Sequence, residues 1–123
     1  MTGATCHECG IVGYCENHHI IFKSQAKHMK TIGINQVFLC MEHHRGKFGV
    51  HHNKKLDLKL KQQLQTRLQT VFINEFYTRY ELQTTLECND IDLDLILKKL
   101  SIYKLGYSSE QLVRRLMGGR LYD

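Results

Sequence analysis

The sequence predicts a small α+β protein, in which a strand-containing amino-terminal module rich in histidine and cysteine precedes a helical carboxyl-terminal extension. All eight histidines and four of the five cysteines lie within the first 52 residues of the 123-residue chain. After Asn53, leucines instead recur at helical spacing among lysine, glutamine and threonine. We therefore expect a boundary between residues 1–55 and residues 56–123, with the metal-ligating residue types concentrated in the first region.

The amino-terminal region contains two adjacent histidines in the run Glu16-Asn17-His18-His19-Ile20. On a strand, neighbouring side chains point to opposite faces, so a local bend could direct one imidazole at a metal ion and the other at water. A neutral imidazole can serve near pH 7 as a ligand or as a general base. Asn35 and the segment Leu39-Cys40-Met41-Glu42-His43-His44 complete the pattern. Hydrolysis of a phosphodiester needs both a base and a divalent cation, so this pattern indicates that chemistry.

These motifs resemble the HNH endonucleases of the ββα-metal (His-Me finger) class, over roughly residues 4–57. The resemblance implies a ββα-metal module and a metal-dependent DNA endonuclease that leaves 5′-phosphate products. It is closest to the small phage-type members, which implies a phage- or prophage-encoded protein acting in the cytoplasm of a bacterial host.

The resemblance also implies roles for individual residues. His19 matches the general base, and Asn35 matches the asparagine that braces the loop and orients this base. His18 and His44 match ligands of the catalytic metal, and His51 matches the further histidine of many small members, with His52 as an alternative. The family uses Mg²⁺ or Mn²⁺, although a site with several imidazoles also suits Ni²⁺ or Zn²⁺.

The cysteines predict a second metal site with a structural role. Cys6-x-x-Cys9 and Cys40-x-x-His43 form a Cys₃His set whose spacing suits tetrahedral zinc. The family usually has cysteine at the position of His43, and Cys15 is an alternative fourth ligand. If every histidine and cysteine served only the fold, the chain would be a non-catalytic zinc module that binds nucleic acid or a protein partner.

The charge distribution favours a polyanionic partner, which we expect to be DNA. Residues 23–67 contain ten Lys and Arg residues but two Asp and Glu residues. No motif typical of base recognition is present, so we expect contacts to the phosphate backbone. The candidate DNA-binding residues are Lys23, Lys27, Arg45, Lys47, Lys54 and Lys55.

The carboxyl-terminal extension, residues 56–123, is expected to consist of helices joined by short breaks. The spacing of apolar residues predicts a helix over 55–80. The β-branched and polar segment at 84–89 should break it, and Asp90 or Asp92 can then cap a helix that runs to about Ser101. A last helix should begin after an N-cap at Ser108, with Gln111 at the capping-box position, and end at Gly118-Gly119. The extension could brace the module, form a homodimer or dock a phage or host protein. With no apolar leader or long hydrophobic run, a cytoplasmic protein without a membrane segment is expected.

Overall fold

The computed structural model describes residues 3–123, which form a mixed α+β fold with three short antiparallel sheets and five α-helices. The elements of the amino-terminal half are β1 (Ala4–Thr5), β2 (Val12–Gly13), β3 (Cys15–His19), β4 (Gln36–Cys40) and α1 (Met41–His44). Those of the carboxyl-terminal half are α2 (Lys54–Val71), β5 (Phe76–Tyr77), α3 (Arg79–Leu86), α4 (Asp90–Leu97), β6 (Ile102–Tyr103), β7 (Gly106–Ser108) and α5 (Ser109–Leu116). The prediction of an α+β fold is therefore confirmed.

The hairpin of β3 and β4 positions most of the histidines. The two strands pair in antiparallel register, with Cys15 opposite Cys40 and His19 opposite Gln36. The connecting loop contains two 3₁₀ turns, at Lys27–Met29 and Gly33–Asn35. Because α1 begins directly after β4, its histidines lie beside the hairpin.

Helix α2 is amphipathic as predicted, but it is shorter. Its buried leucines include Leu56, Leu60, Leu64 and Leu68, one per helical turn. The helix ends at Val71, so the expectation of one helix over 55–80 was wrong. A new helix, α3, begins after Thr78, where Thr78 and Glu81 form a capping box that satisfies the free amide groups at its start.

The remaining helix boundaries differ from expectation in smaller ways. Helix α3 continues to Leu86, inside the predicted break, and ends where Glu87 adopts a left-handed conformation with φ of 52°. Helix α4 is capped by Asn89, one residue before the predicted Asp90, and it ends at Leu97 rather than near Ser101.

Helix α5 begins at the predicted N-cap, because the Ser108 hydroxyl accepts from the Gln111 amide. The Gln111 side chain does not complete a capping box, since its oxygen accepts from the Ser101 amide and its nitrogen donates to the Tyr103 hydroxyl. The helix ends before Gly118, which has a positive φ of 81°.

The extension also contains a sheet that the sequence did not predict, so it is not entirely helical. Its strand order is β5-β7-β6, with Phe76 opposite Ser108 and Ile102 opposite Tyr107. Gly106 begins β7 with φ of 120°, and a Cβ there would collide with the carbonyl oxygen of Tyr77. Only glycine therefore allows the two backbones to approach at this point.

A single hydrophobic core joins the two halves of the chain. Its fully buried large side chains come from the loop before β4, from β4 itself and from α2–α5: Ile21, Met29, Ile32, Leu39, Leu60, Leu64, Leu68, Leu82, Leu93, Ile96, Leu112 and Leu116. Among the described residues, no helix combines the length and apolarity needed to cross a membrane.

Candidate metal and catalytic site

Three cysteines and one histidine meet beside the first hairpin. Cys6 and Cys9 lie in the turn between β1 and β2, Cys40 ends β4, and His43 lies on α1. Their ligand atoms lie within 4.8 Å of one another. The Cys9 and Cys40 sulfurs are 3.9 Å apart, and His43 Nδ1 is 3.3 Å from Cys40 Sγ and 3.9 Å from Cys6 Sγ.

These separations fit a tetrahedral ion. Sulfur and nitrogen ligands around one zinc lie about 3.3 to 3.8 Å apart when bond lengths are standard. Burial raises the pKa of the Cys6 thiol, but the amides of Cys40, Cys9 and Glu8 hydrogen-bond to its sulfur, and the net pKa falls to about 6. A thiolate is the form that binds metal. This group could therefore hold a metal such as zinc.

Cys15, the alternative ligand, is not a member of this group. Its side chain is buried, and its thiol contacts the Ala4 carbonyl oxygen at 3.8 Å. Burial raises the pKa of the Cys15 thiol, which keeps it protonated. It therefore behaves as a small apolar core residue.

A second cluster is formed by His18 on β3, His44 on α1 and His51 in the turn before α2. Their ligand nitrogens lie within 4.8 Å of one another, and the Nε2 atoms of His44 and His51 are 3.0 Å apart. Two imidazole nitrogens on one metal at about 2.1 Å lie about 3.0 to 3.4 Å apart. His52, the alternative to His51, is not part of the cluster.

His18 gives the most direct indication that this cluster could hold a metal ion. The residue is 3% exposed, and its Nε2 atom is buried without a hydrogen-bond partner among the described residues. Burial, together with the neighbouring His44 and His51, lowers the pKa of His18 to about 3. The ring is therefore neutral, and its buried ring nitrogen can coordinate a metal ion. A divalent cation fits this donor set.

Glu16 orients one of these rings. Its Oε1 atom accepts hydrogen bonds from His44 Nδ1 and Arg45 Nε, both at 2.7 Å. These two bonds lower the pKa of the Glu16 carboxyl to about 2. A proton on Nδ1 of His44 leaves Nε2 as the free lone pair, directed at His51. Glu16 is therefore a partly exposed carboxylate that is held between His44 and Arg45.

His19 faces the same cleft as the histidine cluster but makes a different contact. Its Nε2 atom lies 2.8 Å from the Lys30 carbonyl oxygen, which can only accept, so Nε2 carries the proton. Nδ1 is then the basic nitrogen. The cleft has a volume of about 330 Å³, and its lining includes His18, His19, Phe22, Lys23, His44 and His51.

Asn35 ties the loop to the strand that carries these histidines. The residue is fully buried, and its Oδ1 atom accepts from the Ile21 amide at 2.8 Å. Its Nδ2 atom donates to the carbonyls of Ile21 at 3.0 Å and Met29 at 3.3 Å. The Asn35 carbonyl also accepts from the Ile20 amide. The polar atoms of this side chain thus fix the backbone just after His19 and just before Lys30.

The six candidate DNA-binding residues are all exposed: Lys23, Lys27, Arg45, Lys47, Lys54 and Lys55. Lys23 lines the cleft. Arg45 instead forms an ion pair with Glu16, the carboxylate that also contacts His44. By contrast, Lys61 is buried, where it pairs with Asp57 at 2.8 Å and lies over the Phe22 ring. Lys61 therefore belongs to the packing behind the cleft.

His7 and His28 lie outside both groups. His7 is exposed and contacts Gln63 at 3.0 Å. His28 lies in the loop between β3 and β4, where it is buried and its Nε2–H donates to the Arg115 carbonyl at 2.7 Å. No pattern in the sequence indicates this contact, which joins segments 87 residues apart.

Comparisons with protein-family models, curated proteins and solved structures found no match to this chain.

Proposed function

We propose that the chain is a metal-dependent DNA endonuclease with the ββα-metal architecture of the HNH class. One observation carries the proposal. Three imidazoles converge on one point, and a fourth, His19, faces the same cleft with a free Nδ1. The order of β3, β4 and α1 around this cleft supports it, as does the resemblance of the sequence motifs.

In this proposal His19 is the general base. Its Nε2–H is engaged by the Lys30 carbonyl, so Nδ1 accepts the proton from a water molecule in the cleft. The hydroxide then attacks the phosphorus in line with the departing 3′ oxygen, which leaves a 5′-phosphate. Asn35 keeps the base in place by fixing the backbone on which it is carried.

His18, His44 and His51 would hold the catalytic cation, with Glu16 fixing the ring of His44. When bound, the cation supplies positive charge that stabilises the crowded phosphorus and the leaving oxygen. Resemblance to the family favours Mg²⁺ or Mn²⁺, and the three nitrogen donors also suit Ni²⁺ or Zn²⁺. The Cys₃His group would hold a structural zinc that stabilises a module with a small core.

DNA would lie across the amino-terminal half, where Lys23 lines the cleft and the other candidate lysines are exposed. Helices α3 and α4 are joined by a short turn as in helix-turn-helix units. However, Asp90 and Asp94 are exposed on α4, and carboxylates repel phosphate. This helix is therefore a poor candidate for a DNA contact, and backbone contacts from the lysines remain the expectation.

The proposal is tested by plasmid cleavage with Mg²⁺, Mn²⁺ or EDTA, using His51→Ala and His52→Ala as a matched pair. Both variants remove an exposed imidazole from adjacent positions, but only His51 belongs to the cluster. We expect His51→Ala to lose the metal-dependent cleavage and one bound metal, while His52→Ala retains both. A wild-type chain that binds one metal and cuts nothing would instead support a non-catalytic zinc module.

A further inference from the structure

The loop that contains Lys30 is fastened to the carboxyl-terminal half of the chain on both sides of that residue. The Thr31 hydroxyl donates to Asp92 Oδ2 at 2.6 Å. On the other side, His28 Nε2–H donates to the Arg115 carbonyl at 2.7 Å. Met29, between His28 and Lys30, is fully buried in the shared core.

The two anchor points belong to one packed unit. Asp92 lies in the first turn of α4, where its amide is held by the Asn89 cap at 2.8 Å. Arg115 on α5 donates to the carbonyls of Leu95 at 2.7 Å and Ile96 at 3.0 Å, near the other end of α4. Helices α4 and α5 are therefore connected to each other as well as to the loop.

The fastened loop matters because of what the Lys30 carbonyl does. Among the described residues, that carbonyl is the one hydrogen-bond partner of the His19 side chain. The carbonyl also accepts from the Gln36 side chain at 3.3 Å, which directs it towards the hairpin. If the loop shifts, the ring of His19 loses the contact that sets both its orientation and its tautomer.

We propose that Thr31 and Asp92 are positioning residues for His19, and that the carboxyl-terminal half serves to hold the general base. The catalytic part of this inference rests on the proposed nuclease function. The bond between Thr31 and Asp92 spans 61 residues and fixes the backbone one residue after the Lys30 carbonyl. It acts on the base through that carbonyl and does not contact substrate.

The decisive substitution is Thr31→Val, which keeps the shape of the side chain and removes the hydroxyl. We expect kcat for cleavage of a labelled DNA duplex to fall about 10-fold while KM stays within about 2-fold, because a small displacement of a catalytic group reduces chemistry and not binding. Thr31→Ser should restore kcat. Thr70→Val is the control, since the Thr70 hydroxyl bonds only within α2, to the Thr66 carbonyl.

A double-mutant cycle identifies the bond itself. Asp92→Ala should reproduce the loss, and adding it to Thr31→Val should have little further effect, because both changes remove the same interaction. Two full, additive losses would contradict the proposal. Zinc content and the melting temperature of each variant show that the fold is intact.

A second readout needs no cleavage. In ¹⁵N-histidine NMR spectra we expect His19, assigned with His19→Gln, as the Nε2–H tautomer with a slowly exchanging proton. Thr31→Val should accelerate that exchange, and Thr70→Val should not. Unchanged exchange in Thr31→Val would overturn the positioning role, whether or not the protein cuts DNA. If exchange is faster in Thr31→Val than in the wild type but the wild type cuts nothing, the positioning role is supported and the nuclease proposal is contradicted.

Discussion

Removal of the Glu16 carboxylate should weaken metal binding at the histidine cluster without affecting the Cys₃His group. Glu16 contacts His44 Nδ1 at 2.7 Å but is not a member of either metal-ligating group. Loss of a carboxylate behind a metal-ligating histidine costs about 10- to 100-fold in affinity. We expect Glu16→Ala to raise the dissociation constant for Mn²⁺ by that factor. Glu16→Gln, which keeps an acceptor but loses the charge, should have a smaller effect.

The assay is calorimetric titration of zinc-loaded protein with Mn²⁺. Glu8→Ala is the matched control, because Glu8 is also a partly exposed carboxylate in an ion pair, with Lys59 at 2.6 Å. Its effect on Mn²⁺ affinity should be small. If Glu16→Ala bound Mn²⁺ as tightly as the wild type, the argument that this carboxylate sets the His44 ring would be refuted.

Three further predictions concern the fold. Cys9→Ser should lose the structural zinc, as measured by atomic absorption, and should have a lower melting temperature. Cys88→Ser alters a cysteine outside both candidate metal-binding groups, so its zinc content should equal that of the wild type. Leu64→Ala should reduce the free energy of unfolding in urea by about 2–5 kcal/mol, because the side chain is 1% exposed within the core; a loss well under 1 kcal/mol would contradict the packing described. Burial lowers the pKa of the His28 imidazole. Below about pH 6.5 this histidine therefore binds a proton in the unfolded chain but not in the folded chain, so the free energy of unfolding falls as the pH is lowered. Urea unfolding at about pH 7.5 and 5.5 should show a smaller pH-dependent loss in His28→Gln than in the wild type, although the variant also lacks the ring that contacts the Arg115 carbonyl.

The grouping of the candidate metal ligands was easier to predict from sequence than the bounds of the helices and strands that follow them. The residues predicted for two metal sites lie together in two separate groups. The β3–β4 hairpin and α1 carry four of them, and the turns before β2 and before α2 carry the other three. The role of each group remains a prediction. The buried contact between His28 and Arg115 could not be found, since it joins distant segments through a ring and a backbone carbonyl.

The extension was harder to predict because its elements are short. Apolar residues continue at helical spacing past the end of α2 at Val71, with Phe72 and Phe76 following Leu68 at intervals of four, so periodicity alone did not show the boundary. The capping box of Thr78 and Glu81 was a signal that could have marked the start of α3. Strands of two or three residues, such as Phe76–Tyr77, are too short for an alternating pattern to be recognised.

The most direct test of the nuclease account is cleavage of supercoiled plasmid by the wild type, His19→Ala and the control His7→Ala, each loaded with zinc and assayed with Mn²⁺. The account predicts nicking or linearisation by the wild type and by His7→Ala, and a rate at least about 100-fold lower for His19→Ala. Equal cleavage by His19→Ala and the wild type would contradict the assignment of His19 as the base. No cleavage by any of the three proteins would contradict the proposal that this chain is a nuclease.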